Sequence, residues 1–254
     1  MANRLLTLAR NLRRRKARER DRLFVAEGVR TVEELLGSTL DVQGALVSQR
    51  LEDTDRGQAL LERLRTSGVP VEDASPTDFD SAAETESPQG ILAIAAVPEQ
   101  RLEDLPDAER LRLLVLDAVQ DPGNVGTMLR TAVAFGVTAT FSLPGTVDLW
   151  NAKVVRSGMG AHFHHPCLSG TWDDLESFRR ERSLDVWAAD AGGESIERLS
   201  APARLAIVVG NEGGGLSPQS REKANRTVAL PIANDVESLN VAVAAGILLY
   251  ELRR

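Results

Sequence analysis

The sequence predicts an α/β protein with a parallel sheet in its second half, and three observations support this class. The chain has 254 residues, 43% apolar and 26% charged, which is ordinary for a globular protein and enough to bury a sizeable core. Apolar runs such as residues 111–117 and 205–210 lack regular alternation with polar residues, which is typical of strands covered on both faces. Strand-like and helix-like segments alternate several times, as in layered α/β proteins.

The first half predicts a small α/β unit of its own. Residues 23–36 (LFVAEGVRTVEELL) predict a short strand and then a helix whose apolar face carries Val32, Leu35 and Leu36. A second helix is predicted over residues 56–68, where a glycine ends it. Three further segments are typical of strands: residues 42–49, 69–73 and 90–97.

A charged segment separates the two halves. Residues 98–112 are rich in charge and contain two prolines, a composition that predicts a linker. We place the boundary at residue 105, so that residues 1–105 form the first domain and residues 106–254 the second.

The second half predicts one strand–helix pair after another. The predicted strands are residues 111–117, 138–143, 184–190, 205–210 and 226–232, and the predicted helices are residues 124–136, 151–161, 217–224 and 238–254. The last helix is apolar on all faces over residues 241–249, so we expect it in the core or against another subunit.

Charge is distributed unevenly along the chain. The net charge is −7, yet residues 1–22 carry nine Lys and Arg against Glu19 and Asp21, a local excess of +7. This asymmetry predicts a basic face or N-terminal arm that contacts nucleic acid, with a solvated helix as the alternative that charge alone leaves open. The one cysteine excludes an internal disulfide, which fits the cytoplasm. We expect neither a secretory signal nor a membrane span, because no apolar stretch is long enough.

Three polar loops follow strands of the predicted parallel sheet, where such folds bind ligands. The first is residues 116–132 (LDAVQDPGNVGTMLRTA). Asn124 can cap the helix that opens there. Arg130 is predicted in the second turn, where a cation opposes the helix dipole, so a bound anion such as a phosphate would explain it. An ordinary surface salt bridge is the simpler alternative.

The second loop places an acid among glycines. Residues 205–218 (LAIVVGNEGGGLSP) resemble neither a phosphate loop nor a dinucleotide fingerprint, because no Gly-Lys-Ser/Thr follows. Glu212 makes the loop a poor phosphate cradle, and it predicts a contact with a donor on RNA or on a partner loop.

The third loop leads into the last helix. Residues 230–254 read LPIANDVESLNVAVAAGILLYELRR. Ser238 can cap this helix. Asn240 is predicted to be partly buried and therefore needs hydrogen-bond partners.

One histidine-rich segment contains residue types that can bind a metal. Residues 161–167 (AHFHHPC) hold His162, His164, His165 and Cys167, and His162 and His164 could share one strand face. No second ligand cluster accompanies them, so we expect no metal and prefer a strand-edge or substrate-side role for the histidines.

Taken together, the three loops resemble the three motifs of the SpoU/TrmH family, which are RNA ribose 2′-O-methyltransferases of the SPOUT superfamily. The similar segments are DPGNVGTMLRTAVAFG, DLWNAKVVRSGMGAHF, VVGNEGGGLS and LPIANDVESLNVAVAAGILLYE, in the family's order over residues 112–254. The first half is similar to the L30e-like domain that often precedes the catalytic domain, through LFVAEGVRTVEELL and TESPQGILAIAAV.

The resemblance implies a fold and a cofactor. It implies that the C-terminal chain is threaded into a deep trefoil knot, that S-adenosyl-L-methionine (AdoMet) binds in the knot, and that the protein is a homodimer with the site near the interface. Backbone contacts to AdoMet are implied for Gly210, Leu230 and Leu239, and Ile232 is implied to line the same pocket.

The resemblance also implies the residues of methyl transfer: Asn124, Arg130, Glu212, Ser238 and Asn240. The family proposal makes Arg130 the base, but a guanidinium stays protonated in nearly any protein setting. We therefore expect Arg130 to bind the adjacent phosphate and stabilise the developing alkoxide, while Ser238 and Asn240 orient the ribose or relay its proton.

Several alternatives stay open at this point. The L30e-like domain favours ribosomal RNA of the 23S type as substrate over tRNA, by analogy. The same fold could serve a non-catalytic RNA-binding or ribosome-assembly factor, or an enzyme that methylates a base. An oxidoreductase is disfavoured because the chain lacks the dinucleotide fingerprint. We also expect a cytoplasmic location, no membrane partner and no bound metal.

Overall fold

In the computed structural model of the protein, the described residues are 4–233 and 238–253. The chain forms two compact units, of which the first comprises Met1–Glu99 with Trp150–His164 and the second Gln100–Leu149 with His165–Arg254. The division predicted at residue 105 stays a prediction about folding domains. This division does not include the segment Trp150–His164, which the structure places in the first unit.

Ten strands and ten α-helices lie within the described residues. The strands are β1 (Leu23–Glu27), β2 (Val42–Val47), β3 (Val71–Asp73), β4 (Ile91–Ala96), β5 (Leu111–Leu116), β6 (Ala139–Ser142), β7 (Cys167–Ser169), β8 (Asp185–Ser195), β9 (Arg204–Val209) and β10 (Arg226–Ala229). The helices are α1 (Arg4–Leu12), α2 (Arg15–Asp21), α3 (Val29–Leu36), α4 (Asp55–Thr66), α5 (Pro76–Ala82), α6 (Pro122–Ala134), α7 (Ala152–Gly158), α8 (Trp172–Arg182), α9 (Pro218–Lys223) and α10 (Val241–Glu251).

The first unit is built on a four-stranded sheet in the order β1-β4-β2-β3. β4 is antiparallel to both β1 and β2, and β3 is parallel to β2. α7 packs against β1. The ring of Phe24 on β1 lies 4.6 Å from that of Trp150 and 5.9 Å from that of Phe163, measured between centroids. The inserted segment therefore completes an aromatic cluster around the fully buried Phe24.

The basic N-terminal residues form helices rather than an arm. α1 buries Leu5, Leu6, Ala9 and Leu12 in one apolar cluster of the first unit, so the predicted arm is wrong for residues 4–21. The helical period of these leucines explains the docking, because it places all of them on one face. The opposite face keeps its basic side chains exposed. Arg18 is the exception, since it is buried and donates to the carbonyl oxygens of residues 12 and 13.

The second unit confirms the predicted parallel sheet. Its six strands lie in the order β10-β8-β9-β5-β6-β7, and every neighbouring pair is parallel. All six residues of β5 are buried, as expected for a strand covered on both faces. This order places the carboxyl ends of β10, β8 and β9 side by side.

Two elements of this unit escaped prediction, namely β7 and α8. The start of α8 nevertheless carries a clear sequence signal, because Thr171 and Asp174 form a reciprocal capping box. The last helix is also shorter than predicted, since it runs over Val241–Glu251.

None of the three histidines lies in a strand, so the predicted shared strand face of His162 and His164 is wrong. The ring Nε2 of His165 lies 2.9 Å from the hydroxyl of Thr140 in the second unit. Burial lowers the pKa of His165 to about 4, which keeps the ring neutral at physiological pH. Within residues 4–233 and 238–253, no three His, Cys, Asp or Glu side chains come together as a metal site.

Arg112, near the start of β5, forms hydrogen bonds to two other segments of the second unit. Its buried guanidinium donates to the carbonyl oxygens of Pro202 at 2.7 Å, Ala203 at 2.8 Å and Leu252 at 3.3 Å. Burial, helped by the nearby Arg110, lowers the pKa of Arg112 to about 10, so the group stays charged at neutral pH. Because Leu252 is the C-cap of α10, this cation fixes the end of the last helix.

Among the described residues, no helix has both the length and the apolar character that a membrane span needs.

Candidate functional site

A cavity of about 510 Å³ opens at the carboxyl ends of β8, β9 and β10. Four stretches of the second unit line this cavity. Two of them belong to β8 and to the end of β9, namely residues 189–191 and residues 209–213 together with Gly215. The other two are residues 228–230 with Ile232, at the end of β10, and residues 238–241 with Ala244 and Leu248, at the start and on one face of α10. This is the position at which parallel α/β sheets bind ligands.

The predicted site residues divide into two groups around this cavity. Those expected to hold a cofactor all line it, namely Gly210, Leu230, Ile232 and Leu239. Of those expected to act in methyl transfer, Glu212, Ser238 and Asn240 line the cavity, whereas Asn124 and Arg130 do not.

A chain of hydrogen bonds joins the three loops. The Asn240 side-chain amide nitrogen donates to the Asn124 carbonyl oxygen at 3.0 Å, and the Asn124 amide nitrogen donates to Glu212 Oε1 at 3.0 Å. The Asn240 oxygen accepts from the backbone N–H groups of Ala242 at 2.9 Å and Val243 at 3.3 Å. Asn240 is thus the N-cap of α10, and the expectation that Ser238 caps this helix is wrong, because the helix begins three residues after Ser238.

Glu212 completes this chain at the start of α6. Its carboxylate accepts from the backbone N–H groups of Gln120 at 3.3 Å and Asp121 at 3.2 Å. Burial alone would raise the pKa of Glu212, but hydrogen bonds from Asn124 and from backbone N–H groups outweigh it and lower that pKa. The carboxylate is therefore ionised at neutral pH, and it binds donors of the neighbouring first loop.

The first loop caps α6 through Asp121 rather than Asn124. The Asp121 carboxylate accepts from the backbone N–H of Asn124 at 2.8 Å, and Pro122 occupies the first helical position. The predicted capping role of Asn124 is wrong, because the helix begins two residues earlier than expected. The Asn124 side chain is therefore not used as a cap, and it forms hydrogen bonds with Asn240 and Glu212 instead.

The glycine-rich loop is fixed by backbone contacts and by two residues that sequence reasoning missed. A Cβ on Gly210 would lie 2.4 Å from the carbonyl carbon of Gly215, so only glycine fits there. The Asn211 amide donates to the carbonyl oxygen of Ala118 at 2.8 Å. The buried Asp117 carboxylate accepts from the backbone N–H of Ser217 at 2.6 Å. An acid directly after the apolar run of β5 was the signal that could have revealed Asp117.

Arg130 lies on the exposed face of α6, away from the cavity lining. It falls in the third turn and not the second, so the helix-dipole argument for a bound phosphate fails, because the dipole acts mainly within the first turn. No described residue forms an ion pair or hydrogen bond with the Arg130 guanidinium. Because no described residue occupies this guanidinium, it can bind another molecule.

An apolar groove lies between α6 and α10. We call this the α6–α10 groove; it is lined by Thr127, Thr131, Phe135, Ala242, Val243, Gly246, Ile247 and Tyr250. Val243, Ile247 and Tyr250 are exposed to 52%, 40% and 46%, which is high for large apolar side chains on a helix. α10 thus faces the cavity on one side and presents an apolar stripe on the other.

Comparisons with known proteins match both units. The model of the SpoU rRNA Methylase family matches residues 112–250, and that of the MRM3-like substrate binding domain matches residues 3–93. The chain is 37% identical over 243 residues to the 23S rRNA (guanosine(2553)-2′-O)-methyltransferase RlmP of Bacillus subtilis, covering 95% of this chain and 93% of the relative.

Two solved structures are similar over nearly the whole chain. One is the AdoMet-bound rRNA methyltransferase from Sinorhizobium meliloti, with a TM-score of 0.86, 26% identity and coverage of 100% of this chain and 95% of the other. The second is the SpoU methyltransferase AviRb from Streptomyces viridochromogenes in complex with AdoMet, with a TM-score of 0.90, 25% identity and coverage of 99% and 97%.

Proposed function

Because the chain belongs to the SpoU rRNA Methylase family, we propose that it transfers a methyl group from AdoMet to a ribose 2′-hydroxyl of ribosomal RNA. The observation that carries this proposal is the cavity at the ends of β8, β9 and β10, where the three loop motifs meet. The AdoMet-bound structures from Sinorhizobium meliloti and Streptomyces viridochromogenes share the fold around it.

The cavity fits a cofactor of this size. Its volume of about 510 Å³ is within the range of roughly 300–1,000 Å³ that small-molecule sites occupy. Gly210 brings backbone to the cavity wall where a side chain would not fit, and Leu230, Ile232 and Leu239 add apolar surface. These four residues would hold the cofactor. When bound, AdoMet supplies an electrophilic methyl group.

The chain's polar residues would position the ribose and stabilise its charge. A 2′-hydroxyl is a poor nucleophile until its proton begins to leave, so a cation near the oxygen lowers the barrier. We assign this role, together with binding of the adjacent phosphate, to Arg130. Asn124, Glu212 and Asn240 form one hydrogen-bonded chain that links the three loops. Ser238, which lines the cavity, would orient the ribose and relay the released hydroxyl proton to water.

The proposed target is a guanosine in RNA of the 23S type, because the relative from Bacillus subtilis is named for that substrate. The test is to incubate the purified protein with labelled AdoMet and total RNA, both rRNA and tRNA, from a strain that lacks the protein, and then to map the modified nucleotide. Label on tRNA, label on a base, or no transfer at all would each contradict this proposal.

We further propose that the protein is a homodimer and that the α6–α10 groove is its interface. A two-fold interface uses the same patch on both subunits, so an exposed apolar stripe on one helix suits it. Replacing Val243 by Glu is expected to convert the dimer into monomers, because two unpaired carboxylates would be buried together. Light scattering coupled to gel filtration measures this.

A matched control for the dimer test lies in the first unit. Met159 is 42% exposed, outside the groove, and Met159→Glu should leave the dimer intact. A Val243→Glu variant that remains a dimer would exclude the groove as the interface.

The threading and the first domain also remain proposals. We propose that the end of the second unit forms the trefoil knot implied by the family, and that residues 1–105 form an L30e-like substrate-binding domain. The knot proposal rests on the match to the SpoU rRNA Methylase family over residues 112–250, and the domain proposal on the match over residues 3–93. A crystal structure of the whole chain tests both.

The exposed face of α1 and α2 is proposed to bind RNA phosphates. Arg14 and Lys16 are exposed there, and no described residue forms an ion pair with either. Arg14→Glu is expected to weaken RNA binding about tenfold at moderate salt and to reduce the slope of log K against log salt by about one unit or more. Filter binding over a salt series measures both.

The control for this test is Arg198→Glu in the second unit, an exposed arginine with the same change of charge. It should leave the salt slope close to that of the wild type. Substitution is preferable to deletion of residues 1–20, because deletion would uncover the apolar partners of α1. An unchanged slope in Arg14→Glu would refute the phosphate contact.

A further inference from the structure

The cavity has an unusual balance of charge. Among its described lining residues, Asp190 and Glu212 are acidic, and none is Lys, Arg or His. AdoMet carries a net positive charge at neutral pH because of its sulfonium, whereas the demethylated product, S-adenosyl-homocysteine, is neutral overall. A negative wall therefore attracts the donor more strongly than the product.

We propose that Asp190 makes the cavity selective for the cationic methyl donor over its neutral product. This inference rests on the proposed function, because it assumes that AdoMet binds in the cavity. It assigns a specificity role to a residue outside the three loop motifs.

Asp190 reaches the cavity because β8 bulges there. Ala188 pairs with Thr227 of β10, but the next residue of β10, Val228, pairs with Glu194. Five residues of β8, 189–193, therefore lie outside the regular ladder, and three of them line the cavity. Such a bulge redirects side chains without ending the strand.

The bulge closes against β10 through a glycine. A Cβ on Gly193 would lie 2.6 Å from the backbone of Val228, which leaves no room for another residue. The Asp190 carboxylate accepts from the backbone N–H of Gly192 at 3.1 Å. The close contact of Gly193 with β10 and the hydrogen bond from Gly192 thus fix the position of the Asp190 carboxylate.

An ion pair with Arg221 of α9 holds Asp190 but does not cancel its field in the cavity. The Asp190 side chain is 22% exposed and that of Arg221 is 50% exposed. Water screens the more exposed charge more strongly, and Arg221 is not part of the lining. A ligand cation in the cavity therefore meets the carboxylate more directly than the guanidinium.

Glu212 contributes less to this selectivity. Both of its carboxylate oxygens already accept from the first loop, namely from the Asn124 amide and from the N–H groups of Gln120 and Asp121, so they are held toward that loop and not toward a ligand. Asp190 has one backbone donor and one partly solvated cation. The residual field at the ligand should come mainly from Asp190.

Calorimetric titration of the full-length protein tests the proposal. The ligands are AdoMet, S-adenosyl-homocysteine, and an analogue with an ammonium group in place of the sulfonium. In Asp190→Asn, the Kd for AdoMet and for the ammonium analogue should rise about tenfold, and the Kd for S-adenosyl-homocysteine should change less than twofold. Asp190→Glu should restore most of the preference.

A second variant predicts the opposite change. Arg221→Gln removes the nearby cation and leaves Asp190 charged, so AdoMet should bind several-fold more tightly while S-adenosyl-homocysteine binds as before. Glu222→Gln is the matched control, because Glu222 is an exposed acid on the same helix outside the cavity lining. It should change neither affinity.

The outcomes are separable. Equal weakening of AdoMet and S-adenosyl-homocysteine in Asp190→Asn would mean that Asp190 binds a part common to both or holds the wall, and would overturn the proposal. Unchanged affinities in both Asp190→Asn and Arg221→Gln would overturn it as well. If the wild type binds none of the ligands, the proposed function itself fails.

Discussion

Arg130→Ala should reduce kcat for methyl transfer by about 10²–10³-fold while the Kd for AdoMet stays within about twofold of the wild type. The reason is the position of Arg130, which lies on α6 outside the cavity and is open to an external partner. A charge that stabilises the developing alkoxide and the adjacent phosphate acts on the RNA and not on the cofactor. Single-turnover assays with saturating RNA, paired with calorimetric titration of AdoMet, measure the two quantities.

Arg130→Lys separates charge from shape. An ammonium keeps the charge but loses the planar fork that binds a phosphate through two hydrogen bonds, so activity should fall between that of the wild type and that of Arg130→Ala. If AdoMet binding is lost in Arg130→Ala, the residue belongs to the cofactor site and the assigned role is wrong. Arg198→Ala, which removes an exposed arginine elsewhere on the second unit, should leave both quantities unchanged.

Arg112→Met should lower the free energy of unfolding by about 3 kcal/mol, the largest effect on stability that we expect from one substitution. Arg112 is 7% exposed and binds carbonyl oxygens of Pro202, Ala203 and Leu252. Methionine fills a similar volume but donates no hydrogen bond, so the Pro202 oxygen loses its donor. The Ala203 oxygen keeps only the backbone N–H of Leu111, and the Leu252 oxygen keeps only the long contact from Arg110. Urea denaturation at pH 7, followed by circular dichroism, measures the change.

Arg110 supplies the control for this substitution. It is exposed and makes one long contact, 3.4 Å, with the same Leu252 oxygen. Arg110→Met should therefore change the unfolding free energy by less than about 0.5 kcal/mol. Equal effects of the two substitutions would mean that the buried carbonyl contacts contribute little.

Sequence patterns predicted the parallel sheet and three loops that the structure brings together beside the cavity, but not how the residues of these loops contact one another. The apolar runs of β5 and β9 were sufficient for the sheet, because burial on both faces leaves a local signature. The link from Asn240 through Asn124 to Glu212 spans more than a hundred residues of chain and has no local signature. The motifs therefore predict roles for these residues but not the hydrogen bonds between them.

The errors have local causes. Both predicted caps are wrong because a second polar residue lies close to each helix start and is the actual cap, Asp121 for α6 and Asn240 for α10. The bulge that presents Asp190 depends on the register between β8 and β10, which the sequence of β8 alone does not define. The predicted arm is wrong because the leucines of α1 recur with helical periodicity and bury one face of this basic segment.

The segment Trp150–His164 has a consequence for the order of folding during synthesis. Phe24 belongs to β1, yet its aromatic neighbours Trp150 and Phe163 are translated far later. At about 5–20 residues per second, the interval between residues 99 and 164 lasts roughly 3–13 s, during which one side of β1 lacks its cover. The first unit therefore cannot complete its aromatic cluster until part of the second unit has been synthesised, and until then the apolar surface of β1 stays exposed.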